Sequence, residues 1–194
     1  LLIDGLRSVE YRGYDSAGIS VIDESGSIQT VKRGDHKASL ENLAEAVSSG
    51  KLSGQVGIGH TRWATHGVVN QKNSHPHSSS DGTVSIAHNG IIENFLELKD
   101  ELIDSGIEFK SETDSEVLVH LIGNAVESGS SLREAVIGAA SRIRGNTAVV
   151  AVSAAEPGIV VGLRVGNAGG IVIGKNDSAA VMASDTIALL PYIN

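Results

Sequence analysis

An α+β fold is predicted for this chain of 194 residues from three features. Strand-like runs joined by a hairpin signal come early, helical runs gather in the middle, and short strand-like runs close the chain, with no βαβ alternation. Aromatic residues make up 3% of a composition that is 41% hydrophobic, so the core must be aliphatic and its elements must be read from the spacing of Val, Ile, Leu and Ala. No linker, internal repeat or low-complexity tract interrupts residues 1–194, which reads as one domain.

Taken in order, Leu2, Leu6 and Val9 are spaced by four and three, the mark of one helix face. Residues 17–23 read as a strand, Glu24-Ser25-Gly26 as a hairpin turn, and 27–32 as the alternating return strand. Leu40, Leu43, Ala44 and Val47 share a helix face within 39–47, and residues 55–60 and 83–88 read as the next two strands. Between them, 70–82 is polar and aperiodic, and reads as a long structureless loop of the kind that often carries function. Helices are expected over 93–105, 115–127 and 132–143, closed respectively by Gly106, by a stop before Gly129, and by Gly145. Four strand-like runs follow, at 147–152, 159–163, 170–173 and 179–183.

Composition excludes several classes of function. A net charge of −8 argues against nucleic acid or an anionic membrane as the main partner. No apolar run approaches the roughly 20 residues that span a bilayer, and no basic-then-apolar leader opens the sequence, so a cytoplasmic location is expected. There is no cysteine, hence no disulfide. Because the first helix pattern starts in mid-face, the sequence is expected to be a fragment that has lost its beginning, and its last residues also stop without a polar tail.

The chemistry concentrates in a few stretches. In His60-Thr61-Arg62-Trp63-Ala64-Thr65-His66-Gly67, directly after a strand, the Arg62 guanidinium has the planar fork that suits an α-carboxylate. Alone it reads first as a surface arginine, and Trp63 as a core or rim residue. In His88-Asn89-Gly90, the Asn89 amide and the Gly90 N–H are two donors that suit a developing oxyanion, although Asn-Gly by itself reads first as a turn. Ser111-Glu112-Thr113-Asp114 reads first as a helix cap, with Asp114 also suited to a substrate ammonium. The histidines at 60, 66, 75, 77 and 88 lack the spacing of a metal motif, and neither a metal nor a cofactor is expected.

Together these stretches, with Glu10-Tyr-Arg-Gly-Tyr-Asp-Ser-Ala-Gly18, Asn73-Ser-His-Pro-His77 and Ala183-Ser-Asp185, resemble the glutaminase domain of class II glutamine amidotransferases. Within that class they are most similar to the aminotransferases acting on fructose 6-phosphate. The resemblance implies a four-layer α/β/β/α sandwich of the N-terminal-nucleophile hydrolase type, with two antiparallel sheets between helical layers. It implies that Arg62 binds the α-carboxylate of L-glutamine, Asp114 its α-ammonium, and Asn89 with Gly90 the oxyanion. Trp63, Thr65 and His66 would belong to the loop that closes over glutamine. The strand ends bearing Arg62 and Asn89 are expected side by side. The activity implied is glutamine hydrolysis supplying ammonia for glucosamine 6-phosphate synthesis, in a homodimer whose sugar-isomerase domains follow in the same polypeptide. The family's nucleophile is an N-terminal cysteine, which this sequence lacks, so the chain alone is expected to be inactive. The alternatives are a non-catalytic glutamine- or glutamate-binding module and the glutaminase domain of another class member such as amidophosphoribosyltransferase. Two departures from the family pattern, at Arg144-Gly-Asn-Thr147 and Gly169-Gly-Ile-Val-Ile-Gly174, are expected not to touch the site residues.

Overall fold

The computed structural model describes residues 1–34, 38–50, 52–63 and 68–192. Helix α1 (Leu2–Val9) is followed by a 3₁₀ turn at Glu10–Arg12 and the hairpin β1 (Ser16–Ile22) and β2 (Ile28–Arg33). The hairpin closes because Gly26 takes a φ of +83° and the Asp23 carboxylate accepts the Ser25 and Ser27 N–H groups at 2.8 and 3.1 Å. Helix α2 (Ser39–Ser49) leads to β3 (Val56–Arg62), and the short β4 (His77–Ser78) precedes β5 (Val84–Gly90). Three helices follow: α3 (Phe95–Asp104), α4 (Ser115–Glu127) and α5 (Leu132–Arg142). The chain then forms β6 (Thr147–Ser153), β7 (Val160–Val165), β8 (Val172–Lys175) and β9 (Ala180–Ala183).

Two antiparallel sheets carry the fold, ordered β2-β1-β3 and β4-β5-β6-β7. Strand alternation sorts their side chains. Ala17, Ile19 and Val21 of β1 pack with Leu6 of α1 and with Leu40 and Leu43 of α2, forming one outer core. On the other sheet, Val84, Ile86, Val149 and Ala151 face α3, α4 and α5, whose Leu98, Leu118, Ile122, Leu132 and Val136 complete a second, larger core. The opposite faces of the two sheets meet over a thin seam of Ile22, Ile58, Ala87 and Val152. Across it Ser85 Oγ donates to Ser20 Oγ at 2.8 Å, and Ser20 shares a second contact of 2.8 Å with Thr30 Oγ1. The order helix, sheet, sheet, helix is the expected sandwich. A third, two-stranded sheet of β8 and β9 was not expected; its Met182 lies so close to β7 that a Cβ on Gly162 would meet Met182 Sδ at 2.1 Å.

The stretch 70–82 is not a structureless loop. It contains β4, and residues 73–77 are all buried. Polar side chains rather than aliphatic ones hold it in place, so hydropathy spacing could not reveal it. Residues 64–67, including Thr65 and His66, lie outside the described residues.

Candidate active site

Arg62 ends β3. Gly57 and Gly59 face α1, where an added Cβ would meet Leu2 and Leu6 at 3.0 and 3.1 Å. Ile58 therefore turns the other way into the seam, and by the same alternation Arg62 points between the sheets. Its backbone is held from the neighbouring strand, as Asp15 N–H donates to Arg62 O at 3.1 Å. Gly13 passes so near that a Cβ would stand 2.8 Å from Trp63 N and 2.9 Å from Arg62 C. The Arg62 side chain is 8% exposed. Burial lowers its guanidinium from the usual value, while the charges of Asp15 and Asp114 act to hold it up. Trp63 is 58% exposed and leans on Tyr14, with ring centroids 5.8 Å apart.

Asn89 and Gly90 end β5. Because Ala87 lies in the seam, Asn89 shares its face and opposes the sheet that carries Arg62. The two strand ends are thus not side by side, the arrangement expected from the sequence, but in separate sheets facing one another. At Gly90 φ is +150° and a Cβ would fall 2.0 Å from Asn146 O, so only glycine fits. The main chain then turns away, and Ile91 N–H donates to Asn146 O at 3.0 Å. Asn-Gly here is the end of a strand pinned to β6, with Gly90 opposite Thr147, and not a free turn.

Asp114 stands at the start of α4, yet it does not cap that helix. Its backbone is already helical, with φ −63° and ψ −25°, so the carboxylate cannot curl back to the first-turn N–H groups. Instead it accepts the Ile92 N–H at 2.8 Å, two residues beyond Gly90. The reading of this position as a cap is corrected accordingly. Glu116 braces the same segment, accepting Lys110 N–H at 2.7 Å and Ser111 N–H at 2.6 Å. Burial works to raise the Glu116 carboxyl, but bonds from His120, Ser111 and Lys110 prevail and hold it at about 2. Asn73, 1% exposed, ties this segment to the chain leaving residues 64–67: its amide donates to Val68 O and Glu112 Oε2, and its carbonyl accepts Glu112 N–H at 2.9 Å.

Beneath these groups the histidines form a buried stack. His60 and His75 lie 4.5 Å apart between centroids, and His77 meets His75 edge-on at 4.7 Å. His75 Nδ1 accepts the His88 N–H at 3.3 Å, His88 Nδ1 contacts Ser115 Oγ at 2.8 Å, and His77 Nε2 contacts Thr113 Oγ1 at 3.1 Å. Burial pushes His60 down to about 4 and His77 to about 3, reinforced by neighbouring positive or protonatable groups. The His75, His77 and His88 rings serve as hydrogen-bonding struts, and His60 packs against His75 by ring contact. Among the described residues no group of three or more His, Cys, Asp or Glu is arranged to hold a metal ion.

Arg62, Trp63, Asn89, Gly90 and Asp114 all line one cleft of about 480 Å³ between the sheets. Sequence reasoning missed Arg12, Ser184, Gly169 and Gly170, which line it too. Arg12 reaches Ser184 Oγ at 3.3 Å, joining the first turn of the chain to the end of β9. The expectation that neither departure from the family pattern touches the site residues is overturned. Asn146 O fills the space beside Gly90, and Thr147 pairs with that glycine. A Cβ on Gly169, which lines the cleft with Gly170, would stand 3.3 Å from Asn89 Nδ2. For these two glycines, their place in a glycine-rich stretch was the only signal available.

The cleft lies between facing antiparallel sheets, with a buried guanidinium on one side and amide donors and a carboxylate on the other. The chain belongs to the glutamine amidotransferase domain family, whose model matches residues 45–191. It is 43% identical over 192 residues to glutamine–fructose-6-phosphate aminotransferase (isomerizing) of Clostridium tetani, covering 99% of this chain and 30% of that one. The same-named protein of Thermus thermophilus is 46% identical, with the same coverage of 99% and 30%. The chain therefore spans under a third of the length of these relatives. Among solved structures, the glutamine phosphoribosylpyrophosphate amidotransferase from B. subtilis in complex with ADP and GMP aligns with a TM-score of 0.75 and 29% identity, over 96% of this chain and 39% of that one. A structure described as the allosteric regulatory enzyme of purine biosynthesis aligns at 0.80, also with 29% identity, over 97% and 39%. No helix among the described residues is long and apolar enough to cross a membrane.

Proposed function

We propose that the cleft binds L-glutamine across the two sheets. Arg62 holds the α-carboxylate, Asp114 the α-ammonium, and the side-chain amide lies against Asn89 and Gly90. The observation that carries this reading is the pairing of opposite charges in one cavity with two amide donors beside them. A zwitterion needs one cation and one anion, and an amide under attack needs N–H groups at its oxygen. As a nucleophile adds to the amide carbon, the carbonyl oxygen takes the negative charge. The Asn89 NH₂ and the Gly90 N–H donate to it, and the amide nitrogen departs as ammonia with the proton it gains. Trp63, exposed at the rim, covers the bound amino acid.

The 194 residues hold no cysteine, so a thiol nucleophile comes from outside them. Among the described residues β3 is paired on one side only, by β1, and 59–63 line the cleft. That open edge suits a further strand bringing the thiol to the amide. The similarity to the aminotransferases supports a longer polypeptide in which the released ammonia passes to fructose 6-phosphate to give glucosamine 6-phosphate, through isomerase domains of the same polypeptide; a homodimer is proposed for that polypeptide.

Calorimetry of the chain with L-glutamine tests the core of this reading. Binding is expected for L-glutamine and lost for 4-aminobutanamide, which keeps the amide and the ammonium but lacks the α-carboxylate. Equal affinity for both compounds, or none for either, refutes it. Binding without hydrolysis in a polypeptide restored with the thiol-bearing strand identifies a non-catalytic binding module instead.

A further inference from the structure

The geometry points to Asn146 as a positioning residue for the oxyanion donors, an inference that rests on the glutaminase reading and extends it. Asn146 lies just before β6 and reaches in two directions. Its main-chain oxygen accepts the Ile91 N–H at 3.0 Å and fills the space a Gly90 side chain would need, setting the course of the backbone that bears the Gly90 N–H. Its side-chain Oδ1 accepts the Asn167 N–H at 2.8 Å and presses on Gly166, where a Cβ would come within 2.1 Å. The loop held in this way, 166–170, is closed from its other side by Arg164 Nε, which donates to Ala168 O at 2.8 Å. Its far end places Gly169 over the Asn89 amide, where a Cβ would stand 3.3 Å from Nδ2.

One residue therefore fixes the two donors by separate routes, the Gly90 main chain through its carbonyl and the Asn89 amide through its side chain and the loop. Both donors must be aimed at the oxygen before charge develops, because reorienting them during the reaction forfeits their advantage. Asn146 touches neither substrate nor oxyanion. Its influence should appear in the rate of the chemical step and leave glutamine affinity unchanged.

The test uses the longer polypeptide that supplies the thiol and approaches the same contact from both sides. Asn146→Ala removes only the side-chain arm and keeps the main-chain carbonyl. Gly166→Ala, on the exposed loop, pushes Oδ1 away from the opposite side. Each is expected to lower kcat about tenfold with KM within about twofold, since displacing a positioned group by a fraction of an ångström costs rate more than binding. Neither is expected to lower kcat further in an Asn89→Ala background, because the loop acts through that amide. Unchanged kcat in both single variants, or a full extra loss on top of Asn89→Ala, overturns the role of Asn146. If Asn89→Ala itself leaves kcat unchanged, the oxyanion assignment falls and the Asn146 inference with it.

Discussion

The Asp114 carboxylate accepts the Ile92 N–H at 2.8 Å and leaves its own helix uncapped. One oxygen is thereby committed to holding the chain just past Gly90, which links the proposed ammonium side of the cleft to the proposed oxyanion side. Substitution by asparagine separates the two duties. Asp114→Asn keeps an acceptor for Ile92 but removes the charge, so the fold is expected to keep its stability within about 1 kcal/mol while glutamine affinity falls roughly tenfold or more. Thermal unfolding and calorimetry on one sample check both halves, and affinity equal to wild type would move the ammonium site elsewhere.

Arg62→Ala is expected to weaken glutamine binding by about 1.5–3 kcal/mol, the worth of a hydrogen bond to a charged group. Arg62→Lys is expected to recover only part of this, because a lysine lacks the planar fork. Titration of the chain with glutamine reads both, and full recovery by lysine would argue for simple charge attraction over a bidentate grip.

Asn89→Ala separates binding from turnover. In the thiol-bearing polypeptide kcat is expected to fall by about 10²–10³ with KM changed little, since the donor is needed only when the carbonyl carbon becomes tetrahedral. In the 194-residue chain glutamine affinity is expected to remain near wild type. A loss of affinity as large as the loss of rate would make Asn89 a ground-state contact.

Stability is expected to fall on mild acidification because of the histidine stack. His60 and His77 sit at about 4 and about 3 in the folded chain, against an ordinary 6.5. As pH falls the unfolded chain takes up these protons first, so the histidines' contribution is whole above about 6.5 and is lost on the way to 4 and then 3. Glu116, held at about 2 against 4.5, gives way in a lower window, between those two values. Urea midpoints measured at about pH 7 and about pH 5 therefore report chiefly on the imidazoles. His77→Gln is expected to flatten that difference, and equal midpoints in the unaltered chain would show that the rings do not resist protonation.

Gly13→Ala tests how the Arg62 strand end is seated. The glycine has an extended backbone, φ −179°, which any residue can adopt, so the expected harm is purely steric. A methyl group there meets the main chain at Arg62 and Trp63. Destabilisation of about 1–3 kcal/mol together with weaker glutamine binding is expected. Normal affinity would mean that the strand end can shift without carrying the guanidinium away.

The sequence was legible where local spacing and packing agree. Helix α4 runs from Ser115 to Glu127, as its apolar pattern predicts, and β1, β3 and β5 fall within two residues of the strand runs read at 17–23, 55–60 and 83–88. It misled where polar residues serve distant partners. Asn73, Ser74, His75 and His77 are buried and bond to other segments, at Glu112, Lys32, His88 and Thr113 respectively, and nothing in hydropathy separates them from a solvated loop. Asp114 has the residue type of a cap because caps and long-range acceptors draw on the same short carboxylates. Gly169 reaches Asn89 only through the pairing of β5 with β6 and of β6 with β7, a path that no short motif encodes.

The seam of Ile22, Ile58, Ala87 and Val152 is slight beside the two cores that flank it. The molecule is built like a book, with two stiff covers and a narrow glued spine. Arg62 is printed on one cover, and Asn89 and Asp114 on the other. Any load that slides one cover past the other changes the spacing between those pages before it disturbs either binding edge. An amino acid gripped at both ends, as proposed, would act as a clasp between the two covers.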